Sequence, residues 1–411
     1  MAASQRLYII AITAFIVETF CITYGLHFPA ISALLSVLYT ISGLTLVIVL
    51  LKRPFAAHFT EGARGQQTAK WILAAAMLVF ICRCGYQRMT EEPVSYESAD
   101  MLPIIRIMNQ RFLAGHWSQV YAPVAEIWHG TMPIYLPAMW LPFALPVAIG
   151  IDLRWITVLC LFIVFLLLLK RIKLNRKQMP LLIVAIALYT WLFADEIPGL
   201  LPFSEEGVVI FYYVAVVIAL QQKKAWLTGL AIALCLLSRY VLIGWIPALF
   251  LYYAWKREWK YLVQVAITMG IIVLGLFVLP FGKAVMMSLL SLPASYIDFA
   301  SRVWRDSPEV FTEGAGLARF FGPEHIALQH TMLLACSLVI PTVVMMFLLS
   351  KVKRWNLESS QLPLAMLKMV LVVFFSLVDV PYLYLFYTSS FVSLFVLAAW
   401  LNDFAQMRER S

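Results

Sequence analysis

Apolar runs recur from one end of this chain to the other, several of them long enough to cross a bilayer. They include Leu7–Leu26, Ala30–Leu51, Trp71–Ile81, Leu153–Leu169, Leu262–Phe281 and Met332–Ser350. Roughly 20 apolar residues in helical form span the hydrocarbon core. No water is available there to satisfy backbone groups, so such segments must be helices or closed barrels. The period-2 alternation of a barrel strand is absent, which leaves helices. Composition agrees: 63% of the 411 residues are hydrophobic and only 13% are charged, too few to coat a soluble protein of this size. The expected class is an all-α integral membrane protein.

The chain carries 31 Lys and Arg against 22 Asp and Glu. That excess admits a nucleic-acid partner, but the basic residues lie in clusters beside apolar runs, the usual orientation signal of a membrane protein. The partners expected are membrane lipids, with no nucleic acid. Lys52 and Arg53, Arg64 and Lys70, Lys170–Lys177, Lys223–Lys224, Lys256–Lys260, Lys351–Arg354 and Arg408–Arg410 are assigned to the cytoplasm. The first apolar run follows a single Arg6 and lacks a small-residue cleavage site, so it reads as a retained anchor. The intervening segments, about 86–131, 195–206 and 282–330, hold few basic residues and are assigned outside. Cys21, Cys82, Cys84, Cys160, Cys235 and Cys336 sit in or beside apolar runs without metal-ligand spacing.

Full crossing of 132–150 would put the Lys170–Lys177 cluster outside. That segment also carries Pro133, Pro137, Pro142 and Pro146, each removing a helix hydrogen bond. Both points are met if it is re-entrant or interfacial. The expectation is then about 12 transmembrane helices, the Pro-rich segment, two structured extracytoplasmic loops and both termini cytoplasmic. The organisation divides into an N-terminal hairpin and cytoplasmic loop (1–70), a core with the first extracytoplasmic loop at 86–131 (71–281), a second loop (282–330) and C-terminal helices (331–411). Arg239 falls between two short apolar runs near the outer surface. A cation there faces a cavity or anion, or snorkels to headgroups.

In the first outer loop Leu102, Ile105, Met108, Asn109 and Phe112 recur at helical spacing, predicting an amphipathic helix over 102–113 that Gly115 ends. Asp100 precedes it, where a carboxylate often caps. The second loop mixes Tyr296, Phe299 and Trp304 with Arg302, Arg305, Asp306 and Glu309, and predicts interfacial helices joined by tight turns.

Asp100, Gly115 and Tyr121, followed by Tyr135-Leu136-Pro137 and Pro142, resemble the GT-C superfamily of membrane glycosyltransferases. The likeness is closest to the polyprenol-phosphate-mannose-dependent α-mannosyltransferase branch. Leu136 stands where that branch has its first proline, and two additional spans precede the Asp loop. Glu313–Gly322 and Asp379-Val380-Pro381-Tyr382 also resemble the branch pattern, so the likeness runs over roughly 71–400. It implies an enzyme of the cell (inner) membrane with an extracytoplasmic active site. Such an enzyme moves a sugar, mannose by default, from a polyprenyl-phosphate donor to a lipid or glycan acceptor with inversion. It implies Asp100 as general base and Tyr135 as a substrate-binding residue.

Transfer on the outer face, where nucleotide sugars are absent, needs a base, stabilisation of the departing lipid phosphate and a groove for its tail. Glu97 is the alternative base. For the phosphate the candidates are Arg239, then Arg302 and Arg305, which lie i, i+3 and share a helix face, and then Lys283 and His325. Glu205 and Glu206 read as sugar-binding carboxylates or, more readily, as a solvated turn. His116 and His129 read as acceptor contacts or, more readily, as structural interfacial histidines. No metal and no cofactor is expected beyond the lipid-linked sugar as co-substrate. The competing readings are a secondary transporter and a polyprenyl-diphosphate-dependent polymerase or ligase.

Overall fold

A computed structural model describes residues 3–52, 64–97, 99–127, 130–195, 204–291 and 296–408. Arg53, Trp128, His129, most of the 195–206 segment and Arg410 lie outside the described residues. Among the described residues every regular element is a helix, with one isolated bridge between Val124 and Thr131. Six helices are long and apolar enough to cross a membrane: α2 (Pro29–Leu50), α3 (Gly65–Glu91), α11 (Trp259–Lys283), α13 (Pro323–Lys351), α14 (Ser359–Leu377) and α15 (Leu383–Leu401). A seventh is counted if the bent pair α5 (Pro137–Ile149) and α6 (Arg154–Arg171), which meet at 119°, forms one span. The helices α7 (Met179–Ala194), α8 (Glu206–Gln222), α9 (Ala225–Leu236) and α10 (Tyr240–Trp255) are apolar but shorter.

The helices are layered by burial. In α14 and α15, 89% and 83% of the apolar window is buried, against 11% in α11, so the C-terminal pair forms the axis and α11 the rim. The rim exposes Leu279 (77%), Val79 (67%) and Ile72 (66%), an apolar surface that fits a hydrocarbon solvent. The N-terminal helix α1 (Ala3–Cys21) pairs with α2, and both pack on the central pair. Small residues allow the close approaches, as lipid-embedded helices require. A Cβ on Gly43 would meet Val372 at 2.5 Å, and one on Gly207 would meet Thr157 at 2.7 Å. The closest case is Gly244 against the Ser337 carbonyl, at 1.9 Å. Backbone cannot yield as a side chain can, so Gly244→Ala is expected to cost at least the roughly 1–3 kcal/mol of ordinary overpacking. Gly270→Ala, where nothing lies within 4 Å, is expected to leave the thermal midpoint unchanged or raised.

Long-range hydrogen bonds sort the segments into two ends. At one, Tyr8 donates to Lys177 O (2.6 Å), Trp400 to Lys52 O (3.1 Å) and Lys256 to Ser359 Oγ (3.3 Å), which gathers basic segments. At the other, Ser32 donates to Thr312 O (2.8 Å), His27 pairs with Asp195 (3.1 Å) and Arg154 donates to Glu92 O (2.6 Å). Arg154 also reaches Met89 O (3.1 Å), so it ties the last carbonyls of α3 to the start of α6. The helix therefore continues to Glu91, and the loop expected from 86 begins after it.

The Pro-rich segment is broken into short turns that end at left-handed Gly150 (φ 72°). Its loose backbone groups find partners on neighbouring elements. Ala138 N–H donates to Leu237 O (3.0 Å), Tyr212 donates to Ala138 O (3.0 Å), and Asn109 donates to Trp140 O (2.9 Å). Irregular backbone at membrane depth is tolerated on that condition.

Candidate active site

The helix expected over 102–113 forms as its spacing predicts. It runs Met101–Leu113 as α4, with Leu102, Ile104, Ile105, Met108 and Asn109 buried and Phe112 packed edge-on to Trp140 (5.4 Å). Gly115 takes φ 78° after it, and Arg111 donates to the carbonyls of Gln119, Ala122 and Pro123, folding the chain back over the helix. Asp100 occupies the N-cap position, but its side chain makes no capping hydrogen bond. Its carboxyl group is pushed above the ordinary carboxylate range by burial. It lies within electrostatic reach of the Tyr135 and Tyr382 hydroxyls.

Around Tyr135 the chain assembles groups from distant segments. Glu205, Tyr296 and Tyr384 join Asp100 in its electrostatic surroundings. Tyr382 and Tyr384 stack at 5.8 Å in the link before and at the start of α15. Tyr296 opens α12 (Tyr296–Asp306) and hydrogen-bonds Tyr240. Asp379, 4% exposed, accepts from or donates to His330 Nδ1 at 2.7 Å and lies near Tyr240 and Tyr296. Burial raises the Asp379 carboxyl although His330 opposes the shift. One oxygen each of Glu205 and Asp379 is buried with no hydrogen-bond partner among the described residues. Such groups are costly to leave unmade and mark places where a hydroxyl donor would be held.

Arg239 is not the unpaired cation that the phosphate assignment expects. Its Nη2 lies 3.0 Å from Glu205 and 2.7 Å from Glu206, and the guanidinium sits over the Tyr384 ring at 5.6 Å. Glu205 and Glu206 are 1% and 0% exposed, so the solvated-turn reading of the pair is overturned: two adjacent carboxylates at the mouth of α8 are held inside by one arginine and by Thr388. The remaining candidates stand apart from this cluster. Arg302 and Arg305 are exposed on α12, one over the Phe299 ring (5.9 Å) and the other 3.7 Å from exposed Asp306. Lys283 is exposed just past the Gly282 break, and His325 is exposed with Nδ1 on Phe321 O (3.0 Å). Glu97 and His116 are exposed as well. The i, i+3 spacing of the two arginines does give a common face, but that face points away from Tyr296 and buried Ala300.

His330, Tyr296 and Tyr384 were not singled out in the sequence as a site. Of this group only Asp379 carries a sequence signal, as the first residue of the Asp379-Val380-Pro381-Tyr382 stretch. Among the described residues no group of three or more His, Cys, Asp or Glu side chains is arranged to hold a metal ion. The chemical character of the cluster is acidic and hydroxyl-rich, suited to binding polyhydroxylated groups and to taking up a proton. If Asp100 is the base, its raised pKa predicts an acid limb above the ordinary carboxylate range. Activity is full when Asp100 is ionised and falls as pH drops through that raised value. A pH–kcat/KM profile whose acid limb lies at an unshifted carboxylate pKa would contradict this.

Comparison of the chain with known protein families, with characterised proteins and with solved structures gives no match in any of the three.

Proposed function

We propose that this chain is a GT-C-type membrane glycosyltransferase that moves one sugar, with mannose the default, from a polyprenyl phosphate to an extracytoplasmic lipid or glycan acceptor. The observation that carries the reading is the Asp100 carboxylate, half-buried, unused in capping, and set beside a cluster of tyrosines that also holds an unpartnered Glu205 oxygen. In this reading Asp100 takes the proton of the acceptor hydroxyl as its oxygen attacks the anomeric carbon. The bond from that carbon to the phosphate oxygen breaks, and polyprenyl phosphate leaves with the electron pair. Glu205 and Asp379 accept from sugar hydroxyls. Arg239, with Nη2 engaged by the glutamates, offers its other N–H groups to the departing phosphate.

The topology that goes with this reading has twelve crossings. They are the six long helices, the bent pair counted once, the four shorter apolar helices and α1. Both termini then lie in the cytoplasm of a cell-membrane protein, with the basic end inside and Asp100 outside. The secondary-transporter reading is favoured by one feature, charged Glu18 and Lys368 inside the bundle. Those two groups are satisfied by each other and by Ser389 and Ser393, which suits a fastening rather than a pathway.

A single displacement with one base inverts the anomeric centre. Proton NMR of the product from a donor of defined anomeric configuration is expected to give the opposite configuration. Retention would point to a covalent intermediate on a second carboxylate and sink the proposed roles.

A further inference from the structure

At the end opposite Asp100, two tight turns lie side by side. One joins α8 to α9 through Lys223 in the left-handed region (φ 52°), and the other joins α10 to α11 through Arg257, also left-handed (φ 58°). Between them is an open, shallow cavity of about 310 Å³ lined by Lys223, Ala225, Glu258, Lys260, Tyr261 and Gln264. Its wall is fixed: Tyr261 is stacked on Tyr253 at 4.3 Å and its hydroxyl is bonded to Thr228 at 2.7 Å. Below it the helices touch through backbone, a Cβ on Gly229 meeting Val265 O at 2.6 Å. Trp226 and Trp259, 58% and 57% exposed, stand beside it on the first turns of α9 and α11, as aromatic side chains do at headgroup depth.

We infer that this cavity is a binding site for a phosphate-bearing anion, held by the Lys223 and Lys260 ammonium groups with the Gln264 amide as a neutral partner. The turns carry Lys223, Lys224, Lys256, Arg257 and Lys260 against the single carboxylate Glu258, so the local field is strongly positive. The neighbouring tryptophans place the opening where acyl chains end and phosphates begin. A lipid headgroup and free phosphate share the chemistry that this site reads. The inference is independent of the transferase reading, since no residue in it belongs to the Asp100 cluster.

The test uses the full chain reconstituted in phosphatidylcholine vesicles doped with phosphatidylglycerol, then extracted and weighed by native mass spectrometry. Wild type is expected to retain phosphatidylglycerol. Lys223→Ala/Lys260→Ala is expected to retain about tenfold less or lower still, in line with removing two cations from a lipid surface. Lys223→Arg/Lys260→Arg should retain it, and so should Lys353→Ala/Arg354→Ala, an exposed basic pair outside the cavity. A parallel arm measures radiolabelled inorganic phosphate by equilibrium dialysis in lipid-free micelles. Binding there that the alanine pair abolishes assigns the site to free phosphate, and its absence assigns it to the lipid. Equal lipid retention by wild type and the alanine pair, with no phosphate binding, overturns the inference. The arginine pair keeps that outcome meaningful if the alanine pair fails to fold.

Discussion

Replacing Asp100 by asparagine is expected to lower sugar transfer by roughly 10²–10⁴-fold, the range that a general base contributes. The folded protein should be retained. Asparagine keeps the size of the side chain and its capacity to cap, and the native carboxylate makes no capping bond to lose. The loss should appear in kcat rather than KM, because proton uptake matters only as the acceptor oxygen attacks. Glu97→Gln serves as the contrast, since Glu97 is exposed and outside the tyrosine cluster. Wild-type rates in Asp100→Asn, or a larger loss in Glu97→Gln, would move the base off Asp100.

Severing the Glu18–Lys368 pair is expected to be the most destabilising single change. Both side chains are fully buried. Lys368 donates to Glu18 and to Ser389 Oγ (2.7 Å), while Ser389 and Ser393 donate to the two Glu18 oxygens at 3.0 and 2.8 Å. The network fastens α1 to the central helices α14 and α15. Removing one partner of a buried pair leaves the other charge stranded and typically costs about 3–5 kcal/mol. Glu18→Leu alone should therefore lose most of the folded, monodisperse protein. Glu18→Leu/Lys368→Met removes both charges and should recover much of the loss. Equal stability of the single and double variants, by denaturation in mixed micelles, would show that the pair does not act as a unit.

α4 was readable because a surface helix prints its buried face at a period of 3.6, and Leu102, Ile105 and Met108 do so. The broken character of the 132–150 segment was readable because proline removes donors wherever it stands. Apolar composition gave the helical membrane class, and the structure supplies six full-length spans, or seven with the bent pair, where twelve crossings were expected. The shortfall lies in helices such as α9 and α10, whose length is limited by the break at Arg239.

The pairing of charges was not legible. Glu205 and Glu206 stand at the start of a helix, where exposed carboxylates are common, and nothing local says that Arg239, 34 residues from Glu205, closes on them. His330 and Asp379 meet across 49 residues. Lys368 and its partner Glu18 are separated by 350 residues. These contacts depend on how helices pack, which periodicity within one helix does not encode.

The most direct measurement follows the label of a polyprenyl-phosphate sugar, radioactive in the sugar, with the purified protein in sealed vesicles containing a glycolipid extract. The expected result of the proposed transfer is labelled glycolipid, release of one polyprenyl phosphate per sugar transferred, and no product from nucleotide sugars. Label that crosses the bilayer unchanged, with no glycolipid formed from any lipid-phosphate sugar, would contradict it and favour the transporter.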